Sequence, residues 1–360
     1  MLFSPRHVIF FSLLAGASAR EITFAPKQAQ YRMSPPSTDD DSLPISVPDQ
    51  FFGLQTFANL PYVNSLGASL TSTDVEKYDI AVLGAPFDTS VTGRPGARFG
   101  PAGIRRGSQR IQPGFAWNIY SGENTFASWA KIVDCGDVPM TVLDNTVALQ
   151  QLDKAHRVVS SRSTPSAANG YASTPRILTL GGDHTTTLSA LRSTFTHWGA
   201  VSVIHFDSHI DTWNPAVLGG DVSDYAGVNH GTFLHIAHEE GLILNSSIHA
   251  GIRAPYSKPG GDLRNDRRCG FEIITARDLD RLGTQGLIDQ LKQRVQGNRV
   301  YISVDIDVLD PAFAPGLPVI GADVVEVAPI YDNPGENTVL VAAEVAHSLL
   351  TLMVQTPIKV

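Results

Sequence analysis

At 360 residues, 42% apolar and 17% charged, with 31 glycines and 23 prolines, the chain has room for one large domain or two modest ones and the makeup of a globular α/β protein with many turns. A formal charge of −8 argues against nucleic acid and anionic membrane surfaces as partners, because both repel an acidic chain. Two cysteines, Cys135 and Cys269, exclude a disulfide scaffold, and the apolar setting of Cys135 favours a buried free thiol over a bridge.

Residues 1–19 read as a secretory signal: Arg6 and His7 form a thin basic region, 8–15 an apolar run, and Ala17-Ser-Ala19 a small-x-small cleavage site. The alternative is an apolar helix kept in the fold. The apolar run is too short to span a bilayer, so the mature chain is expected in the secretory pathway or outside the cell, with no membrane contact. A working signal makes Asn245-Ser-Ser247 a glycosylation acceptor. Residues 20–50 lack periodicity and carry Pro35, Pro36 and the acidic run Asp39-Asp40-Asp41; they read as a mobile leader. The globular part is then a single domain, 51–360.

From Tyr78 onward strands alternate with helices. Strands are expected at 79–84, 131–135, 177–181, 201–206, 247–252, 271–275, 300–306 and 319–327. Most are continuous apolar runs, as a parallel sheet buried on both faces requires. Helices are expected at 142–161, 186–196, 233–242 and 279–295. That order predicts a doubly wound α/β domain with its site at the C-terminal ends of the strands. The Gly/Pro-rich segment 84–101 follows the first strand, where it can wall a site; Arg94 or Arg98 can either hold a partner carboxylate there or serve the structure.

Three strand ends carry chemistry. The first is Gly181-Gly-Asp-His184, where a glycine pair turns the backbone sharply and sets His184 at the mouth of the next helix. The second is Asp207-Ser-His-Ile-Asp211, whose alternate positions put Asp207, His209 and Asp211 on one side of an extended chain. The third is Asp305-Ile-Asp307, two carboxylates in an otherwise apolar strand. Clustered carboxylates repel one another, and burying them unpaired costs several kcal/mol, so a divalent cation is the simplest reason for the pattern. Six candidate ligands, His184, Asp207, His209, Asp211, Asp305 and Asp307, are too many for one tetrahedral zinc. They suit two borderline-hard ions sharing carboxylates, with Mn2+ favoured. Two such ions can hold and ionise one water.

These three motifs, with His205-Phe-Asp-Ser-His-Ile-Asp-Thr-Trp213 and Ser303-Val-Asp-Ile-Asp-Val-Leu-Asp-Pro311 quoted in full, resemble the signatures of the ureohydrolase family, which includes arginase and agmatinase. The similarity runs from about Gln50 to the C-terminus, and residues 78–106 and His230-Gly-Thr-Phe233 look more like the agmatinase branch. The resemblance implies a three-layer α/β/α fold, a homo-oligomer, two Mn2+ per subunit, and hydrolysis of a small guanidino substrate, agmatine first, to urea and an amine. Carried over by motif, His184, Asp207, Asp211 and Asp305 hold one ion, and Asp207, His209, Asp305 and Asp307 the other. His230 matches the family's proton-shuttling histidine and Glu326 the glutamate that pairs with the guanidinium; with Asp211 they are the expected catalytic residues.

One departure stands out. After Asp310-Pro-Ala-Phe-Ala-Pro-Gly316 the family pattern carries a Thr-Gly-Thr-Pro loop, a Gly-Gly turn and a helix, whereas here Gly316 runs directly into Leu317. A crossover between parallel neighbours normally takes a dozen residues or more, usually a helix. The last strand is therefore expected to be displaced, reached by a stretched link across the sheet edge or paired the wrong way round, leaving the orientation of Glu326 open. A catalytically impaired, metal-binding form is the competing expectation.

Overall fold

The computed structural model describes residues 53–67, 75–223, 226–308 and 319–359, all within one compact unit, Gln50–Val360. The expected signal, leader and Gly316–Leu317 junction lie outside the described residues.

In chain order the elements are β1 (Ile80–Gly84), α1 (Gly100–Gly107), the two-residue strands β2 (Trp117–Asn118) and β3 (Glu123–Asn124), β4 (Ile132–Asp137), α2 (Asn145–Ser160), β5 (Arg176–Leu180) and α3 (Thr186–Trp198). Then follow β6 (Ser202–Phe206), α4 (Phe233–Glu239), β7 (Ser247–Ile252), α5 (Pro259–Arg268), β8 (Phe271–Thr275), α6 (Ala276–Val295), β9 (Val300–Asp305), β10 (Val319–Val325) and α7 (Asn337–Gln355). Eight strands form one sheet in the order β4-β1-β5-β10-β9-β6-β7-β8, and every neighbouring pair is parallel.

Alternation along each strand feeds two separate cores. Ile80 and Val82 of β1 pack into a cluster with Ile104 of α1, Leu291 of α6 and Ala346 of α7. Ala81 and Leu83, pointing the other way, pack with Leu152 and Val159 of α2. Further along that second face Val203 and Tyr301 meet Leu191 of α3 and Leu234 of α4. Helices thus cover both faces, giving the expected α/β/α layering. Both cysteines are buried and free, as the setting of Cys135 predicts for that residue.

The last strand excludes two of its three expected arrangements. β10 is neither displaced nor reversed: it lies parallel between β5 and β9, with Gly321 opposite Ile177 and Val325 opposite Asp305. The distance to be covered explains why this is possible. β9 is six residues long, about 20 Å at the rise of a strand, and eleven steps from Val308 to Val319 reach about 36 Å fully extended. Eleven steps are therefore enough to return along the strand.

Candidate metal centre

Four adjacent central strands, β5, β10, β9 and β6, aim their C-terminal ends at one place. From β5 comes the turn Gly181-Gly182, packed so closely that a Cβ on Gly182 would meet the Phe87 carbonyl oxygen at 1.8 Å; His184 follows, fully buried. From β6 come Asp207, His209 and Asp211, from β9 Asp305 and Asp307, and from β10 Glu326. The second motif does not follow the expected strand alternation. β6 ends at Phe206, so Asp207, His209 and Asp211 occupy the loop beyond it, and Asp211 reaches the site through a left-handed backbone, φ 50°. Glu326 adopts the same rare conformation at φ 60°. Such backbone costs of order 1–3 kcal/mol per residue and persists where the surroundings hold it.

All six expected ligands converge. His184 Nδ1 lies 3.2 Å from Asp207 Oδ2, 3.1 Å from Asp211 Oδ2 and 3.5 Å from Asp305 Oδ2. His209 Nδ1 lies 3.3 Å from Asp207 Oδ1 and 3.1 Å from Asp307 Oδ2. Two donor clusters result, one of His184, His205, Asp207 and Asp211, the other of Asp207, His209 and Asp307, with Asp207 common to both. The grouping differs from the expected one in that His205 joins the first cluster, while Asp305 stands beside it through His184.

The charges do not balance within the protein. Burial, and then Asp207, push the Asp211 carboxyl up to about 6, and the same two causes hold Asp305 well above the usual carboxylate range. Burial also works against ionised Asp207, but His205, His184 and His209 outweigh it and hold its carboxyl well below that range. Asp207 and Asp307 raise His209 to about 11. Burial lowers His184, yet its three carboxylate neighbours prevail and raise it well above the ordinary value. Carboxylates that keep one another from ionising form a donor set with more negative charge than two imidazoles neutralise. His184 Nδ1 and Asp207 Oδ2 are moreover buried with no hydrogen-bond partner. Mixed carboxylate and imidazole donors, in two groups sharing a carboxylate, fit a pair of divalent cations.

Surrounding groups orient these donors. Ser303 Oγ donates to Asp323 Oδ1 at 2.6 Å and lies 2.7 Å from His184 Nε2, from which it accepts. Once cations displace the proton that the carboxylates favour on Nδ1, the remaining His184 proton is held on Nε2 and the Nδ1 lone pair faces the cluster. Asp323 is held in turn by Tyr301 and Thr187 hydroxyls at 2.7 and 2.8 Å. Ser208 donates to Asp307 through its backbone N–H and its hydroxyl. The sequence reading missed Ser303 and Asp323, although each breaks an apolar strand, and Ser303 shares the strand face of Asp305.

Glu326 faces the site. Its Oε1 accepts the His184 backbone N–H at 2.9 Å and lies 3.3 Å from His230 Nδ1. On the other side of the imidazole, Thr92 donates its backbone N–H to His230 Nε2 at 3.2 Å, with its hydroxyl 3.0 Å away. Nε2 is thus an acceptor, and the ring proton sits on Nδ1 toward Glu326. Burial draws His230 down, but Glu326 raises it above its ordinary value. The Gly/Pro-rich segment therefore does wall the site, through Thr92. Its arginines do not enter: Arg98 pairs with Asp88, and Arg94 lies 5.6 Å over the Tyr331 ring. The pocket above the cluster has a volume of about 470 Å³; Asp211, Asp305, Asp307 and Glu326 line its polar side, and Trp213, Val217 and Leu218 its apolar wall.

Comparison with known proteins places this geometry. The Arginase family's sequence profile matches residues 78–320 and 317–351. A Schizosaccharomyces pombe protein bearing an agmatinase name is 43% identical over 384 aligned positions, covering 97% of this chain and 96% of its own. Since 97% of this chain is about 349 residues, about 35 of those positions hold a residue only in the relative. An agmatinase of Enterobacter sp. (strain 638) is 34% identical over 76% of this chain and 86% of its own. The solved structure of proclavaminate amidino hydrolase from Streptomyces clavuligerus superposes with a TM-score of 0.69 at 30% identity, over 86% of this chain and 99% of that one. With its profile match, these identities and an arginase-like parallel sheet carrying a buried His/Asp cluster, the chain belongs to the arginase family.

Proposed function

We propose that the chain hydrolyses a small cationic guanidino compound, agmatine first among them, to urea and an amine, using two Mn2+ held by His184, Asp207, His209, Asp211, Asp305 and Asp307. The observation that carries this reading is the pair of donor clusters sharing Asp207 on the floor of an acidic pocket. When bound, two divalent ions lower the pKa of a water enough for it to attack near neutral pH. The protein's own residues do the rest. Glu326 accepts a guanidinium N–H in a charge-assisted bond. His230 relays the proton that the water gives up as the C–O bond forms and passes it to the departing amine as the C–N bond breaks. Trp213, Val217 and Leu218 pack on the methylene chain. No Lys or Arg occurs among the described residues lining the pocket, which favours an amine tail over a carboxylate tail.

A specific observation supports a second reading. The profile match divides at 317–320, and the S. pombe relative has about 35 residues with no counterpart here, so an impaired metal-binding form lacking a crossover is the competitor. Urea release over a guanidino panel, with and without Mn2+, separates the two when run beside a version with that segment restored. Manganese-dependent urea from agmatine is the expected result. Activity only in the restored version supports the impaired form, and metal-free protein after Mn2+ loading overturns both.

We further propose that residues 1–19 direct the chain into the secretory pathway and that the mature product assembles as a homo-oligomer. Asn245 is exposed, as a glycan acceptor must be. The expected product in the medium has lost residues 1–19 and shifts on glycosidase treatment, whereas Asn245→Gln does not shift. Retention of residues 1–19 in the purified protein refutes the signal reading. Light scattering on that product reports its assembly, and a monomer mass refutes the oligomer.

A further inference from the structure

The apolar wall of the pocket has no helix or strand of its own. Trp213, Val217 and Leu218 stand on residues 213–220, which follow the donor loop beyond β6 and belong to no regular element. One buried side chain, Asn229, ties this stretch to the turn that carries His230. Its Nδ2 donates to the carbonyls of Leu218 and Ala226, each at 3.0 Å, and its Oδ1 accepts the Gly231 N–H at 3.0 Å. Two carbonyls can only accept and an N–H can only donate, so the amide has a single orientation.

The two ends of the amide serve different parts of the pocket. The Nδ2 end holds Leu218, and with it the wall; the Oδ1 end holds Gly231, the residue after His230. Gly231 is also where the wall side chains rest. Its carbonyl accepts the Trp213 N–H at 3.1 Å, and a Cβ on it would meet Leu218 Cδ2 at 2.7 Å and Trp213 Cε3 at 2.9 Å. The backbone of Asn229 is held in turn: its N–H donates to Thr232 Oγ1 at 3.1 Å, and that hydroxyl donates to the Gly227 carbonyl at 2.6 Å. A change in the Asn229 side chain is therefore felt by Leu218 and Gly231 rather than absorbed by its own backbone.

We propose that Asn229 is a positioning residue with two separable tasks: through Leu218 it sets the apolar wall against the substrate's methylene chain, and through Gly231 it sets the turn of His230. The proposal rests on the guanidino reading of the pocket. Asn229→Asp divides the tasks, because an aspartate of the same shape still accepts from Gly231 but has no N–H for the two carbonyls. It is expected to weaken agmatine about tenfold, read as a higher KM with kcat near wild type. Calorimetric titration of the metal-free full-length protein with agmatine reads the same loss as Kd, without any turnover. Asn229→Ala loses both ends and is expected to lower kcat about tenfold as well. Leu218→Ala removes the side chain through which the wall acts, so adding it to Asn229→Asp is expected to raise KM little beyond the larger single increase. Thermal unfolding checks that each variant is folded. If Asn229→Asp does not fold, Gly231→Ala, which puts a methyl between Leu218 and Trp213, takes its place and is expected to raise KM and Kd in the same way.

A kcat that falls equally in Asn229→Asp and Asn229→Ala overturns the division and leaves a general loosening of the site. Wild-type KM and Kd in Asn229→Asp overturn the wall task, wild-type kcat in Asn229→Ala overturns the His230 task, and KM increases that simply multiply overturn action through Leu218. A wild-type chain that neither binds agmatine nor releases urea from it overturns the guanidino reading and this inference with it.

Discussion

Thr92 holds His230 from a loop whose glycines and prolines give no strand or helix period, and the contact shows how much a single side chain settles. Its N–H and hydroxyl occupy Nε2, so the mobile proton is on Nδ1 beside Glu326. Thr92→Val keeps the shape and removes the hydroxyl. A lost orienting hydrogen bond of about 1–1.5 kcal/mol predicts a kcat lower by roughly tenfold with KM unchanged. His230→Ala, which removes the acid itself, predicts a loss of about 10²–10⁴-fold. Steady-state urea release checks both, and equal losses in the two variants would mean that Thr92 does more than orient the ring. At this scale the sequence is a good guide to ligands and a poor one to their supports. Asp207, His209 and Asp211 stand out because no fold gathers three such groups idly, whereas Ser303 and Asp323 look ordinary until Ser303 is found accepting from His184 and donating to Asp323.

Among the elements, those read correctly from sequence are held by their own pattern. β7 and β8 match the expected 247–252 and 271–275 residue for residue, because the run of β7 ends in a loop and that of β8 at Thr275, which caps α6. The helices that escaped notice are held by their neighbours. α1 contains three glycines and a proline and looks like loop, yet those glycines let it lie close: a Cβ on Gly103 would meet Pro329 Cγ at 2.4 Å, and one on Gly107 the Val339 carbonyl oxygen at 2.4 Å. α5 begins Pro-Gly-Gly, and α7 is apolar nearly all round, so neither shows two faces. β10 is likewise fixed from outside its own span. Buried Arg176 donates to the carbonyls of Val319, Met353 and Thr356, tying the start of β10 to the end of α7. Arg176→Met leaves these acceptors unsatisfied and predicts a loss of about 3 kcal/mol, read as a lower urea midpoint. Because that clamp is independent of the link before it, a chain with the absent segment restored at Gly316 is expected to keep Glu326 beside His230.

For the molecule as a whole, acid is the condition to test. Burial lowers His156, which is fully enclosed against α3, from 6.5 to about 4. The unfolded chain protonates this ring as pH falls through 6.5, while the folded chain does not until about 4. Folding stability therefore drops across that window, by at most about 3 kcal/mol. His156→Gln predicts a shallower decline in the urea midpoint between pH 6.5 and 4, and an unchanged slope would rule out this ring as the cause. The position of β10 sets a timetable for assembly. It is the last of the described strands to leave the ribosome, yet it belongs between β9, made just before it, and β5, made long before. Until it slots in, those two strands have no partner on their facing edges and Glu326 is missing from the pocket, so a nascent chain halted after β9 is left with a cleft down the middle of its sheet. On the metal reading proposed above, loading with cations therefore belongs after synthesis is complete.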